Sequence, residues 1–388
     1  MRIALATSSF LPRVGGVEEH VSFLAHELSS NGHAVTIWAV DQGDATPADD
    51  DGTPLRYLPT PLPNRSLRGL LSWAVSAPRA WRAWRRAYRL DRPDVIVIQC
   101  FGANGPYATL LARRTNTPLI YSNHGETFMD AHGAFDASAL MRRSLRRTLA
   151  RAAAVVSCSR FAAADLARFG PSVPPTVVGN GIDLDLSSEP VDAQLPARYL
   201  AGVGRLVENK GFHHLVGAYA EAQTDPALAG VDLVIAGDGP ERGPLEELAA
   251  RLGVAEHVHF VGSQRRAQIR ALLDGAVAHV VPSRVEAFGI VVLEGWRSGI
   301  PVIVTKHGGP PEFVTDDVDG LLFEPRDITE LARLLIRVAS EPVVQRRLGS
   351  AGRASAQRFS WRAVSNSYED VLRAVTADAP ADRWRRPE

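Results

Sequence analysis

From its first residue the chain alternates short apolar runs, each ending in a Gly-rich or polar turn, with longer amphipathic stretches, and few folds accommodate that rhythm. Arg2 to Thr7 reads as a strand, Gly15-Gly16 as a turn, and Val17 to Ser30 as an amphipathic helix closed by Asn31-Gly32. Ala34 to Val40 is the next strand. Further strands are expected at Val95 to Ile98, Leu119 to Ser122 and Ala153 to Ser157. A second series begins near Tyr199, with strands at Leu233 to Ala236, Val258 to Val261, Ala278 to Val281 and Pro301 to Val304. Strands interleaved with helices imply parallel sheets covered on both faces, so the expected class is α/β with two Rossmann-like, doubly wound domains. The expected boundaries are residues 1–185 and 186–360, with a junction in the Asp-, Ser-, Glu- and Pro-rich stretch Asp185 to Pro196. The opening strand-turn-helix lacks G-x-G-x-x-G, so a dinucleotide site is not indicated.

A chain of 388 residues suits two domains, and 45% hydrophobic with 22% charged residues describes a globular protein. Residues 1 to 185 carry 20 Arg against 16 acids and the remainder 23 basic against 27 acidic residues, so the overall charge is zero. That balance argues against nucleic acid as a partner. Cys100 and Cys158 have no companion at metal-ligand spacing and read as buried thiols. No apolar run approaches the roughly 18 residues of a membrane span, and the N-terminus turns polar too soon for a secretory leader. A cytoplasmic protein, at most peripheral at the inner face of a membrane, is expected.

Glu286-Ala-Phe-Gly-Ile-Val-Val-Leu-Glu294 carries the most chemistry. Val280 to Ser283 ends a buried strand and Gly289 to Arg297 reads as a helix, so Glu286 falls in the intervening loop and Glu294 on the helix. Free N–H groups at the helix start, around Phe288, Gly289, Ile290 and Val291, suit phosphate oxygens. The carboxylates on either side suit sugar hydroxyls, Glu294 on a ribose and Glu286 on a transferred sugar. A second Gly-rich loop, Gly202 to Gly211, follows the Tyr199 strand and brings Arg205 and Lys210. Lys210 is one of only two Lys among 43 basic residues, and a compact ammonium behaves differently from a planar guanidinium at a phosphate.

Together with Gly15-Gly16, His124-Gly125, Asn180-Gly181-Ile182-Asp183, Gly204-Arg205-Leu206, Ala236-Gly237-Asp238-Gly239-Pro240 and Gly308-Gly309-Pro310-Pro311-Glu312, these motifs resemble the retaining family 4 glycosyltransferases of GT-B fold. The resemblance runs from Met1 to about Ala374. It implies two domains facing across a cleft, with a helix over residues 361–376 completing the first domain and a tail over 377–388. It implies transfer of a sugar from a nucleoside diphosphate to an acceptor hydroxyl with retention, by front-face displacement assisted by the leaving group. It implies that His124 contacts the donor sugar, that Gly15 and Gly16 meet the donor phosphate or the acceptor, and that Gly262 lies in the base-reading backbone. Arg205 and Lys210 then stand where the leaving diphosphate gains charge, taking over a metal's task. No cofactor or metal is expected, and Asp183-Leu-Asp185 is assigned to the hinge. UDP-sugar is favoured over GDP-sugar, and the acceptor is a hydroxyl of a cell-envelope lipid, polysaccharide or secondary metabolite. The alternatives are a GT-B epimerase or phosphorylase and a catalytically silent nucleotide-sugar-binding subunit. The first is opposed by the paired glutamates with Arg205 and Lys210, the second by the complete charged set.

Trp81, Trp84 and Tyr88 form one stripe of a helix expected over Pro78 to Leu90, with Arg79, Arg82, Arg85, Arg86 and Arg89 around it. Arg142, Arg143, Arg146, Arg147 and Arg151 mark a second basic helix. Such a surface suits an anionic membrane, although the favoured reading packs the aromatics on the sheet beneath solvated arginines.

Overall fold

A computed structural model describes residues 1–11, 15–43, 49–63, 66–129 and 133–377. The chain divides into two compact units. Met1–Asn180 and the returning segment from Trp361 form the first, and Gly181–Ser360 form the second. The chain therefore crosses at Asn180-Gly181, before the expected Asp185–Pro196 junction. That stretch belongs to the second unit, tied down where Glu189 N–H donates to Ala267 O (2.9 Å) and Gln268 Nε2 to Asp192 Oδ2 (2.9 Å). Its polar composition reflects an exposed surface segment rather than a free linker. The outgoing chain at Ile182 pairs in parallel with Ser360, where the chain leaves again. Of the tail expected over residues 377–388, Ala377 instead ends the last helix, and the rest lies outside the described residues.

In the first unit the strands are β1 (Arg2–Thr7), β2 (Ala34–Val40), β3 (Asp49–Asp50), β4 (Thr53–Leu58), β5 (Val95–Gln99), β6 (Leu119–Asn123), β7 (Ala154–Ser157) and β8 (Thr176–Val177). They are ordered β3-β4-β2-β1-β5-β6-β7-β8 and are parallel except for the β3–β4 pair. Its helices are α1 (Gly16–Ser30), α2 (Leu67–Asp91), α3 (Asn104–Thr115), α4 (Glu126–Met129), α5 (Ala134–Ala137), α6 (Ala139–Leu149) and α7 (Arg160–Asp165). In the second unit β9 (Tyr199–Val203), β10 (Asp232–Ala236), β11 (Val258–Gly262), β12 (Ala278–Val281), β13 (Val302–Thr305) and β14 (Leu321–Phe323) form an all-parallel sheet ordered β11-β10-β9-β12-β13-β14. Helices α8 (Phe212–Ala222), α9 (Arg242–Arg251), α10 (Arg266–Asp274), α11 (Ile290–Ser298), α12 (Ile328–Ser340) and α13 (Pro342–Ala356) cover it, and α14 (Trp361–Ala377) returns to the first unit.

Each sheet is buried on both sides, because successive side chains of a strand point to opposite faces. In β1, Ala4 and Ala6 pack under α2, α3 and α6, while Ile3 and Leu5 pack under α1 and α14. In β9, Leu200 joins one core of the second unit and Tyr199, Ala201 and Val203 the other. The return helix α14 contributes Trp361, Val364, Tyr368 and Leu372 to the core that α1 also builds. The first unit is therefore incomplete without residues some 180 positions further along the chain than Asn180.

The loops at the carboxyl ends of the second sheet are stitched backbone to backbone. Gly308 (φ +108°) is bridged to Glu286, and a Cβ there would stand 1.9 Å from Glu286 O. Gly211 (φ +67°) would place a Cβ 2.1 Å from Pro282 O. These motif glycines thus bring loops against loops. Gly308→Ala is expected to cost at least about 3 kcal/mol, strain plus a backbone clash. Gly253→Ala, at φ +74° in open space, costs only about 1–2 kcal/mol. Chemical denaturation of the two variants measures the difference, and equal losses would refute the loop-contact role.

Candidate active site

In a doubly wound sheet, ligands bind beyond the carboxyl ends of the strands where the order reverses, because the loops there diverge and leave a crevice. In the second unit that point lies between β9 and β12. The loop after β9 ends in a short 3₁₀ turn, Glu208–Lys210. The loop after β12 carries Ser283, Arg284 and Glu286. Arg284 N–H donates to Asn209 O (2.9 Å) and its guanidinium pairs with Glu208 (2.7 Å), which fixes the 3₁₀ turn against the second loop. Lys210 Nζ then meets Glu286 Oε1 at 2.5 Å, and Ser283 Oγ donates to the same oxygen (2.5 Å). Glu286 is 4% exposed. One of the three ammonium protons of Lys210 is committed to Glu286, leaving two for an incoming oxygen.

Lys210 is neutralised by Glu286, whereas Arg205 is exposed, with no side-chain partner among the described residues. Ser283, Glu208 and Arg284 escaped the sequence reading. Ser283, three residues before Glu286 at the strand's end, carried the one available signal.

Helix α11 starts as expected. Gly289 (φ +96°) is its N-cap, Ile290 and Val291 open it half-buried, and Val292 N–H is already bonded to Gly289 O (3.0 Å). The Phe288 ring is core, stacked on Phe313 at 4.7 Å, so only its backbone is available to a ligand. Glu294 is buried on the same helix. Burial raises its pKa, opposed by Arg297 and then Arg266. Gly295 has a packing cause. A Cβ there would lie 2.6 Å from Val302 Cγ2 and 3.0 Å from His279 Nδ1, a fully buried histidine held neutral by burial with its pKa near 4. Gly262 (φ +71°) ends β11, and its carbonyl accepts from Gly237 N–H (2.8 Å), so part of the expected base-reading backbone is used internally. Asp183 caps its own turn, its Oδ1 accepting from Asp185 N–H (3.0 Å), while Arg297 Nη1 donates to Asp183 O (3.2 Å).

In the first unit, Gly15 is extended (φ −167°) and serves as N-cap of α1, and Gly16 is the first helical residue rather than part of a turn. Residues 12–14 lie outside the described residues. His124 follows β6. Its Nε2 contacts Gln99 Oε1 (2.8 Å) and Ser122 Oγ (3.3 Å), and its N–H donates to Glu126 Oε2 (2.8 Å). Beside it lies His20 of α1, ring centroids 4.7 Å apart, which meets Tyr368 of α14 at 3.1 Å. Tyr368 in turn reaches Ser122 (2.7 Å). Burial lowers the pKa of His20 to about 4 and that of His124 well below 6.5, with His20 adding to the latter. Both rings are neutral at pH 7, so His124 presents a hydrogen-bonding imidazole rather than a cation. Burial raises the pKa of Glu126, which accepts from Phe101 N–H (2.6 Å) and Tyr121 Oη (2.7 Å). The His124 neighbours Gln99 and His20, and Tyr368 beyond them, come from distant segments, and nothing in the sequence pointed to them.

The aromatic stripe of α2 faces inward. Trp84 is 1% exposed and donates to Pro59 O (3.1 Å), while Trp81 and Tyr88 are packed against the same core. The helix also starts at Leu67 rather than Pro78. Ser66 caps it by accepting from Gly69 N–H (3.0 Å), and Pro78 is accommodated within it.

The buried histidines imply a pH dependence. Below pH 6.5 the unfolded chain takes up protons that folded His20 does not accept until about pH 4, so stability falls with pH across that window. The loss is about 1.4 kcal/mol per pH unit for each such group, with Glu126 opposing it at the acid end. His20→Gln should flatten the dependence of the denaturation midpoint between about pH 7 and about pH 5. An unchanged slope would contradict the burial of a neutral His20.

A family model described as "Glycosyl transferases group 1" matches residues 188–355, and one described as "Glycosyltransferase Family 4" matches residues 14–186. The chain is 29% identical over 400 residues to a glycogen synthase of Mycobacterium tuberculosis, covering 97% of this chain and 95% of the relative. It is also 29% identical over 405 residues to a GDP-mannose-dependent alpha-(1-6)-phosphatidylinositol monomannoside mannosyltransferase of the same organism, covering 97% and 99%. Among solved structures, sucrose-phosphate synthase from Thermosynechococcus elongatus superposes with a TM-score of 0.82 at 23% identity, covering 97% of this chain and all of that one. Anabaena HepE, solved with UDP, gives 0.75 at 21% identity, covering 96% and 100%. The two family models follow one another through both units, over the loops that carry Lys210, Glu286 and His124, and the chain belongs to the family 4 glycosyltransferases of GT-B fold.

Proposed function

We propose that this glycosyltransferase moves a sugar from a nucleoside-diphosphate donor, UDP-sugar in the first instance, to an acceptor hydroxyl with retention and without a metal. The contact between Lys210 and Glu286 at the strand-order reversal carries this reading, together with the start of α11. Arg205, the two remaining Lys210 protons and the free N–H groups of α11 are suited to diphosphate oxygens. Glu294 accepts from ribose hydroxyls and Glu286 from the transferred sugar. During transfer the bond from the anomeric carbon to the diphosphate oxygen breaks. The acceptor oxygen bonds on the same face, and its proton passes to the departing oxygen. His124, kept neutral, hydrogen-bonds the sugar, and the acceptor is a hydroxyl of a cell-envelope lipid, polysaccharide or secondary metabolite.

Among donors, GDP-mannose is the second reading, favoured by the full-length likeness to a GDP-mannose-dependent mannosyltransferase; HepE, solved with UDP and with UDP-glucose, supports the first. Among the described residues no helix is long and apolar enough to cross a membrane. A cytoplasmic location, peripheral to the inner face of a membrane, suits a lipid-linked acceptor.

Calorimetric titration with UDP, GDP, ADP and their sugar conjugates, without metal and then with magnesium, tests the donor. Binding of UDP without metal is expected. Lys210→Ala and Glu294→Ala should each weaken binding about tenfold or more, the loss of one charged hydrogen bond, whereas Asp183→Ala should not. Wild-type affinity in the first two variants would refute this placement of the donor site. Binding of no nucleotide would refute the donor assignment.

A further inference from the structure

The amino-terminal half of α2 exposes most of its apolar residues to solvent, with Arg68 and Ser72 between them. Leu67 is 81% exposed, Leu71 69% and Val75 62%, with Leu70 and Trp73 also exposed. Among the described residues the first unit's cores do not cover them; the buried residues of α2 are Ala80, Trp84 and Ala87. At its far end Asp91 accepts from Trp38 Nε1 (2.8 Å) and pairs with Arg56, so that half is anchored while the first projects.

The exposed face changes character along one line. At 3.6 residues per turn, positions 67, 71, 74, 78, 82, 85 and 89 fall on a single stripe. It reads Leu67, Leu71, Ala74 and Pro78, then Arg82, Arg85 and Arg89, and every one of these residues is exposed. From Ser66 to Leu90 the helix holds six arginines and no Asp or Glu. Helix α6, on the same side of the sheet, adds exposed Arg143, Arg146 and Arg147. Isolated exposed leucines are ordinary; a contiguous set continuing into an acid-free row of arginines is not. A water-filled surface penalises the first half, and another acid-poor protein face would not match the second. A bilayer with anionic headgroups meets both requirements, accepting leucines at the acyl boundary and arginines among the phosphates.

We propose that the segment Leu67 to Ala77 of α2, about 16 Å of helix, inserts into the surface of an anionic phospholipid bilayer, with the Arg82, Arg85 and Arg89 row held at the headgroups. The inserted element is thus not the aromatic stripe, which is core. This inference concerns the first unit alone and does not rest on the donor assignment, since its test requires neither nucleotide nor turnover.

Flotation of the full chain with vesicles of phosphatidylcholine, with and without phosphatidylglycerol, tests it, alongside light scattering of the protein alone. Binding to the anionic vesicles is expected, weakening between about 0.1 M and about 0.5 M salt. The triple variant Leu67→Ser, Leu70→Ser, Leu71→Ser should lower partitioning at least about tenfold with an unchanged thermal midpoint. Arg82→Glu with Arg85→Glu should abolish the preference for anionic lipid. Vesicle binding unaffected by the leucine changes would overturn the proposal. So would a stable dimer that the same changes dissociate, which would make this face a contact between copies of the chain.

Discussion

The reversal of strand order between β9 and β12 is the constraint on which the second unit's chemistry depends. Connections from the two central strands leave in opposite directions, so the loops that follow them part above the sheet, and groups placed there stay reachable by a ligand. Across that gap Lys210 and Glu286 meet from residues 76 apart in the chain. A buried carboxylate without a cation is costly, so the pair also fixes the two loops against each other. Gly211 and Gly308 serve the same end, by allowing backbones to approach where any side chain would intrude.

The first unit solves a related problem with neutral groups. His20, Gln99, Ser122, His124 and Tyr368 are drawn from α1, the ends of β5 and β6, and α14. Burial keeps both histidines uncharged. A polar network of this kind holds only if its members are satisfied by one another. The return of α14 therefore positions a candidate site residue as well as closing a core.

Much of the candidate site was legible because its members occupy marked places: Glu286 and Arg205 follow apolar runs, and Glu294 sits on a helix bounded by Gly289 and Gly299. Lys210 was conspicuous for its rarity. Its pairing was not legible, since a loop contact 76 residues away leaves no periodicity. Trp81, Trp84 and Tyr88 show the complementary failure. Helical spacing placed them on one face but could not say which way that face turned, and the sheet claimed it. The exposed leucines before Pro78 went unread because a proline was taken as the helix start, whereas Ser66 supplies the cap twelve residues before it.

Local sequence by itself determined the alternation of strands and helices, the parallel sheets and the identity of the charged groups at strand ends, because backbone periodicity and capping act over a few residues. Only the tertiary structure decided where the chain crosses between units, that Lys210 is neutralised by Glu286, that His20 and Tyr368 support His124, and which face of α2 meets solvent. Those outcomes depend on burial and on contacts between distant segments, where desolvation and close packing outweigh any preference a residue expresses among its neighbours in the chain.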